Sequence, residues 1–259
     1  MRVYVSGASG FVGSHVAREL GERGADVRAE RVDLLDPAGL ERVVGGCEAV
    51  VHVAALYSYD ARPELIEGVN VEGTRNLLEA AARQGVRRFL HTSTAGTCGP
   101  VPGRPATEED APPPWELAVP YKRTKLAAER LALDAGAVVV NPTTPVGEGD
   151  RKPTPTGRMI AGVATGRIRG YVATTGLNVV DVRDVALGHA LALERGEPGE
   201  RYLLGGVDLA LEDLFAAVAD LAGCPRPRLR VPYAVVLAAS KAGIVNADEV
   251  KLARLPMYF

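Results

Sequence analysis

A chain of 259 residues, 47% hydrophobic and 24% charged, is long enough to bury a full core and suits one large α/β domain with a small appended lobe. A net charge of −2, a pI near 6.1 and basic residues dispersed rather than gathered in runs exclude an electrostatic surface for nucleic acid. The cysteines, Cys47, Cys98 and Cys224, are too widely spaced for a disulfide framework or a zinc knuckle, and the histidines have no metal-ligand spacing. Free thiols in a reducing cytoplasm, no metal and no nucleic-acid partner are therefore expected. The longest apolar run, Val231 to Ser240, is too short to span a membrane and is expected to be a core-facing helix.

The chain opens MRVYVSGASGFVG, a short alternating strand running into glycines spaced G-x-x-G-x-x-G. Gly7 permits the tight turn, Gly10 lets a pyrophosphate approach the backbone, and Gly13 lets the next helix pack closely on the sheet. That helix offers unpaired N–H groups and a positive dipole end to the phosphates. Gly7, Ser9, Gly10, Phe11, Val12 and Gly13 are thus the expected dinucleotide contacts.

Further on, Ala49 to Ala54, Arg88 to Thr94 and Ala137 to Asn141 read as buried strands. Between them, Gly73 to Gln84 and Tyr121 to Asp134 carry helical spacing. The repeated βαβ order predicts a parallel sheet covered on both faces, and the Pro- and Gly-rich stretches Gly99 to Pro114 and Asn141 to Gly157 follow strand ends, where ligands bind in such sheets. His91 to Gly96 (HTSTAG) ends a strand in hydroxyl residues able to orient a carbonyl. Tyr121 and Lys125, spaced Y-x-x-x-K, share a helical face one turn apart. A phenol near an ammonium is a better acid, so this pair predicts proton exchange with a substrate oxygen. Trp115 and Tyr171 are candidate walls of a substrate pocket, and Arg167, Arg169 and Lys152 are candidate phosphate ligands or solvated charge.

The N-terminal glycine loop, the later hydroxyl cluster and the downstream Y-x-x-x-K together resemble the extended short-chain dehydrogenase/reductase (NAD-dependent epimerase/dehydratase) family, and this ordering covers most of the chain. The segments NPTTPVGEGDRKPTPTGRMI, TGLNVVDVRDVALGHALALERG and GERYLLGG resemble its dihydroflavonol-4-reductase-like branch, in particular the group labelled hopanoid-associated sugar epimerases. The resemblance implies a catalytic triad of Thr94, Tyr121 and Lys125. It also implies an adenine-contacting pair Asp33 and Leu34, a cofactor-lining segment Val53, Ala54 and Ala55, and further cofactor contacts at Asn70 and Thr92. Asn141, Pro142, Thr143 and Thr144 correspond to the segment flanking the nicotinamide, and Tyr121 and Lys125 also contact the cofactor. NAD or NADP, a small-molecule substrate and a homodimer formed through the Gly73–Gln84 and Tyr121–Asp134 helices follow from the same likeness.

The fold class expected is α/β, a Rossmann-like doubly wound parallel sheet with a small discontinuous C-terminal lobe. Residues 1–141 and 178–205 make the cofactor domain, and 142–177 with 206–259 the substrate lobe. Against the family pattern the chain is compressed around 29–33, 133–137 and 242–248. A crossover between parallel strands takes about a dozen residues, so a strand is expected to be lost, or residues to be missing, after Ala29. The residue that selects NAD or NADP is then left open between Glu30 and Arg31. Asp181 stands where the close relatives have histidine, which leaves a substrate contact there in question. The activity expected is hydride transfer at a carbonyl or hydroxyl carbon. The alternatives are a nucleotide-sugar epimerase or dehydratase that retains its NAD, and a non-catalytic NAD(P)H sensor.

Overall fold

The computed structural model describes residues 1–57 and 61–259. The strands are β1 (Arg2–Ser6), β2 (Asp26–Arg28), β3 (Ala49–His52), β4 (Arg88–Thr92), β5 (Val138–Pro142), β6 (Thr144–Val146), β7 (Gly170–Val172), β8 (Gly176–Asp181), β9 (Arg201–Leu204), β10 (Val207–Ala210) and β11 (Leu229–Val231). The α-helices are α1 (Phe11–Glu22), α2 (Pro37–Val44), α3 (Pro63–Glu67), α4 (Gly73–Arg83), α5 (Pro120–Asp134), α6 (Pro155–Ala164), α7 (Val182–Arg195), α8 (Leu211–Ala222), α9 (Tyr233–Lys241) and α10 (Ala247–Leu252).

The main sheet has six parallel strands in the order β2-β1-β3-β4-β5-β9. Its two faces are written in the strands with a period of two, because successive side chains point to opposite sides. Val3, Val5, Ala49, Val51, Val138 and Val140 enter one core with α1 and α7, while Tyr4 and Val50 enter the other with α2 and α4. Each fully buried aliphatic side chain of this kind stabilises by roughly 1.5–3 kcal/mol. The order reverses between β1 and β3, so the strand ends there diverge and open the crevice in which open α/β sheets bind ligands.

Residues 29–36 form no strand, which leaves β2 as the sheet edge and α2 as the whole crossover back to β3. The other compressed points close as tight turns, with Gly136 (φ 75°) between α5 and β5 and Gly243 (φ 73°) between α9 and α10. A smaller sheet, β10-β8-β6, and the β7–β11 pair pack with α6 and α8 around Val163, Tyr171, Leu214 and Phe215. Residues 178–181, expected in the cofactor domain, belong to this smaller sheet, and the chain rejoins the main one through α7 and β9. Tyr171 is a buried member of the lobe core, with its hydroxyl on Arg230, and Trp115 lies under the Arg254 guanidinium. The expectation for Val231–Ser240 is corrected: α9 has no buried residue, because α10 is its principal packing partner and no sheet face receives it.

A Cβ on Gly13 would lie 2.1 Å from the Gly7 carbonyl oxygen, whereas one on Gly21, in the last turn of the same helix, would meet nothing within 4 Å. Glycine to alanine inside a helix ordinarily stabilises by about 0.5–1 kcal/mol. Urea unfolding should therefore show Gly21→Ala gaining about that much, and Gly13→Ala losing about 1–3 kcal/mol by overpacking.

Candidate active site

Three segments meet at the C-terminal edge of the sheet: the loop after β1, the strand ends of β3 to β5, and the first turns of α5. Gly7 takes a left-handed turn (φ 72°), and a Cβ there would meet the Ala54 backbone nitrogen at 2.7 Å. Gly10 is the N-cap of α1, no side chain caps the helix, and its first turn holds no acidic residue. The N–H groups of Phe11 and Val12 are thus left for an anion, with Ser9 exposed beside them. At the other end of the crevice a cavity of about 530 Å³ is lined by Arg31, Val32, Asp33, Leu34 and Val69. The Asp33 carboxylate accepts from Leu35 N at 3.0 Å, and Leu34 is buried against Gly73. A phosphate cradle free of side chains at one end and an apolar-floored cavity at the other fit a dinucleotide.

Lys125 is buried, and its Nζ donates to the Thr92 carbonyl at 2.6 Å. Burial, opposed by Glu129, pulls its ammonium down to about 8. The Thr92 hydroxyl, an expected cofactor contact, donates to His189 Nε2 at 2.9 Å, and His189 Nδ1–H donates to Val185 O at 2.7 Å. The carbonyl bond at Nδ1 fixes the tautomer, and burial holds the ring neutral with its pKa lowered to about 4. A chain of hydrogen bonds thus crosses the sheet from α7 to Lys125.

Asn70 and Asn141 are likewise spent inside the protein. Asn70, in the π-helical turn Gly68–Glu72, accepts from Leu56 N at 2.7 Å and donates to Leu56 O and Thr124 Oγ1, each at 3.2 Å. It pins the loop that follows β3, where Val53 and Ala54 are half-buried and Ala55 is exposed. Ser6 accepts from Val53 N and Ala54 N and sits 2.7 Å from His52 Nδ1, whose Nε2 donates to Thr74. Fully buried Asn141 donates to Glu129 Oε2 at 2.7 Å, Thr97 Oγ1 at 2.9 Å and Thr94 O at 3.2 Å. Glu129 is buried too and also holds Thr97 (2.6 Å) and Arg201 (2.7 Å), and Arg201 donates to the carbonyls of Glu108 and Asp110. One buried carboxylate therefore ties the Thr94 turn, α5 and the 99–114 loop together. Beyond β5, Pro142 is buried, Thr143 N and Oγ1 both donate to Leu204 O, and Thr144 begins β6.

Thr94 is half-buried; its Oγ1 accepts from Gly96 N at 3.3 Å, which leaves its own proton to donate. Tyr121 stacks on Tyr57 with ring centroids 4.4 Å apart. The expected acidification by Lys125 is not found in this arrangement. Burial, with a smaller contribution from Tyr57, raises the Tyr121 phenol well above its ordinary value of 10.0. Lys125 spends its charge on Thr92. Asp181 caps α7 through Arg183 N at 2.8 Å and pairs with Arg183, so it serves the helix. Among residues not anticipated, Tyr57, Glu129, Arg201 and the Ser6–His52–Thr74 set surround the site. Glu116 and Lys122 form a buried ion pair at 3.0 Å behind Gly96, and burial raises the Glu116 pKa.

The NAD dependent epimerase/dehydratase family profile matches residues 3–205. A putative dihydroflavonol 4-reductase from Synechocystis is 36% identical over 295 aligned positions, covering 99% of this chain and 86% of that protein. Sterol demethylase protein B from Methylococcus capsulatus is 36% identical over 90% of this chain and 78% of its own length. The crystal structure of gox2253 superposes with a TM-score of 0.87 at 39% identity, covering 99% of this chain and 89% of that one. The chain belongs to the NAD-dependent epimerase/dehydratase family, within the short-chain dehydrogenase/reductases, and is an NAD(P)-dependent enzyme of oxidoreductase type. An alignment longer than the chain itself accords with the compressed connections seen in the fold.

His189 is held neutral far below its unfolded value of 6.5, so its share of stability is complete above pH 6.5 and lost as pH falls toward 4. Urea unfolding of His189→Gln and the parent at two pH values should show the parent losing more on acidification, by on the order of 2 kcal/mol between about pH 7.5 and 5. Equal losses would mean that His189 is not held neutral.

Proposed function

We propose that this protein is a carbonyl reductase or alcohol dehydrogenase acting on a small, largely apolar substrate, in which Tyr121 moves the proton and Thr94 holds the substrate oxygen. The observation that carries the reading is that α5, which bears Tyr121 and Lys125, packs on the turn that follows Thr94, with Lys125 Nζ on the Thr92 carbonyl. A nicotinamide, when bound, supplies the hydride. The Thr94 hydroxyl donates to the carbonyl oxygen and orients it, and Tyr121 gives up its proton as negative charge develops there. Lys125, one turn on from Tyr121 in α5, holds the Thr92 carbonyl and so fixes the strand end that leads into Thr94. Tyr57, stacked on Tyr121, shields that proton from water. The substrate lies between this edge and the lobe drawn from 142–177 and 206–259. Similarity to a protein named as a reductase supports net reduction over a retained cofactor.

NADP is the better fit of the two cofactors. Arg31 lines the adenosine-end cavity and has no hydrogen-bond or ion-pair partner among the described residues, while the Glu30 carboxylate is engaged with Arg42 at 3.1 Å. Arg28 is spent on the carbonyls of Val43 and Gly45. A homodimer through α4 and α5 and a reducing, cytoplasmic setting for the three free thiols complete the proposal.

Fluorescence titration should show NADPH binding about tenfold or more tightly than NADH, with Arg31→Ala removing the difference and sparing NADH. Tyr121→Phe should cost about 10²–10⁴ in turnover with a panel of carbonyl compounds and leave NADPH binding intact. Unchanged turnover would remove Tyr121 from the mechanism, and a cofactor retained through purification and never consumed would favour an epimerase.

A further inference from the structure

Helix α9, YAVVLAASK, is apolar on every side until Ser240 and Lys241, a pattern that ordinarily marks a helix buried all round, yet none of its residues is buried. Its surroundings are equally open. Leu221 (90% exposed), Leu229 (64%), Val235 (56%), Ile244 (75%) and Val245 lie within one short stretch and are among the most exposed large apolar side chains of the described residues. Among the described residues β11, which leads into α9, pairs with β7 alone.

The charge of this stretch is one-sided. Between Leu221 and Ala247 there is no Asp or Glu, while Arg226, Arg228, Arg230 and Lys241 are all basic. Arg226 and Arg230 reach back to Asp220 and Glu212 on α8. Arg228 and Lys241 have no acidic partner among the described residues, and neither do Arg167 and Arg169, which precede the paired strand β7. The Arg228 N to Arg169 O bond at 3.1 Å brings these arginines side by side.

We propose that this face of the C-terminal lobe, centred on α9 and Ile244 and rimmed by Arg167, Arg169, Arg228 and Lys241, docks on an anionic lipid surface. Apolar side chains enter the acyl boundary while arginine and lysine meet the headgroup phosphates, as in interfacial helices that lie in the membrane plane. The helix has nine residues, and no helix among the described residues is long and apolar enough to cross a bilayer, so contact is with one leaflet only. A second copy is the poorer occupant. A twofold interface through this patch would set Arg167, Arg169, Arg228 and Lys241 against their own copies, and the bordering carboxylates of Asp220, Glu212 and Asp248 are already held by Arg226, Arg230 and Lys251. The proposal stands independently of the reaction assigned above.

Cosedimentation with phosphatidylcholine vesicles, with and without about 30 mol% phosphatidylglycerol, tests it. Binding to the anionic vesicles is expected to exceed binding to neutral ones by about tenfold or more and to fall in high salt. Val235→Glu with Ile244→Glu should abolish it, and Arg228→Gln with Lys241→Gln should weaken it. All four side chains are exposed, so circular dichroism melts should match the parent. Absence of binding to anionic vesicles, or binding undiminished in both folded double variants, would overturn the proposal. Sedimentation velocity that instead reveals self-association lost in the Val235→Glu, Ile244→Glu protein would overturn it as well.

Discussion

The Lys125 ammonium, removed from water and seated on a single backbone carbonyl, is the charge around which the rest of the site is arranged. Burying an ion costs several kcal/mol even after relaxation, and a 2.6 Å charge-assisted hydrogen bond to Thr92 O offsets only part of that. The structure meets the remainder by fixing the acceptor. Thr92 can turn its carbonyl to Lys125 because its side chain is anchored on the opposite face of the sheet by His189, itself held by a carbonyl of its own helix. The same economy governs Glu129, which is buried only because Thr97, Asn141 and Arg201 supply its donors.

These polar threads explain why the site lies at the strand ends and not within the sheet. Strand interiors are closed by their own ladders, whereas the ends of β1, β3 and β4 carry Ser6, His52 and Thr92, and the last residue but one of β5 is Asn141, and these side chains reach neighbouring elements. Each thread ties down one wall: Ser6, His52 and Asn70 the cofactor loop, Thr92 and His189 the lysine, Glu129 and Arg201 the turn bearing Thr94. His91 lies buried beside His52 with neither ring nitrogen hydrogen-bonded among the described residues, and burial together with the Lys125 charge drives its pKa well below 6.5.

Much of this was legible in the sequence where local chemistry and global fold agree. The glycine loop, the period-two strands and the Y-x-x-x-K helix each carry their reason in adjacent residues, and the order of strands and helices gave the parallel sheet. Asn70, Thr92 and Asn141 match the family's cofactor contacts in type and place. Their side chains also bond to partners distant in the chain, such as His189, Glu129 and Thr124, and no local spacing reports such a bond. Glu129 and Arg201 were invisible for the same reason, since an acid in a helix reads as solvated until the strand that faces it is known. The apolar run at α9 stays unburied because hydrophobicity predicts burial only where the fold supplies something to pack against.

The arrangement of the site depends on Lys125 being a buried, hydrogen-bonded ammonium. The most direct test is a nitrogen-detected NMR titration of the lysine side chains, with Lys125 assigned by the spectrum of Lys125→Met. A midpoint near 8 for Lys125, set apart from the other lysines, is the predicted result. A midpoint at the ordinary lysine value of 10.5 would contradict the account, because the side chain would then be in water and not on the Thr92 carbonyl.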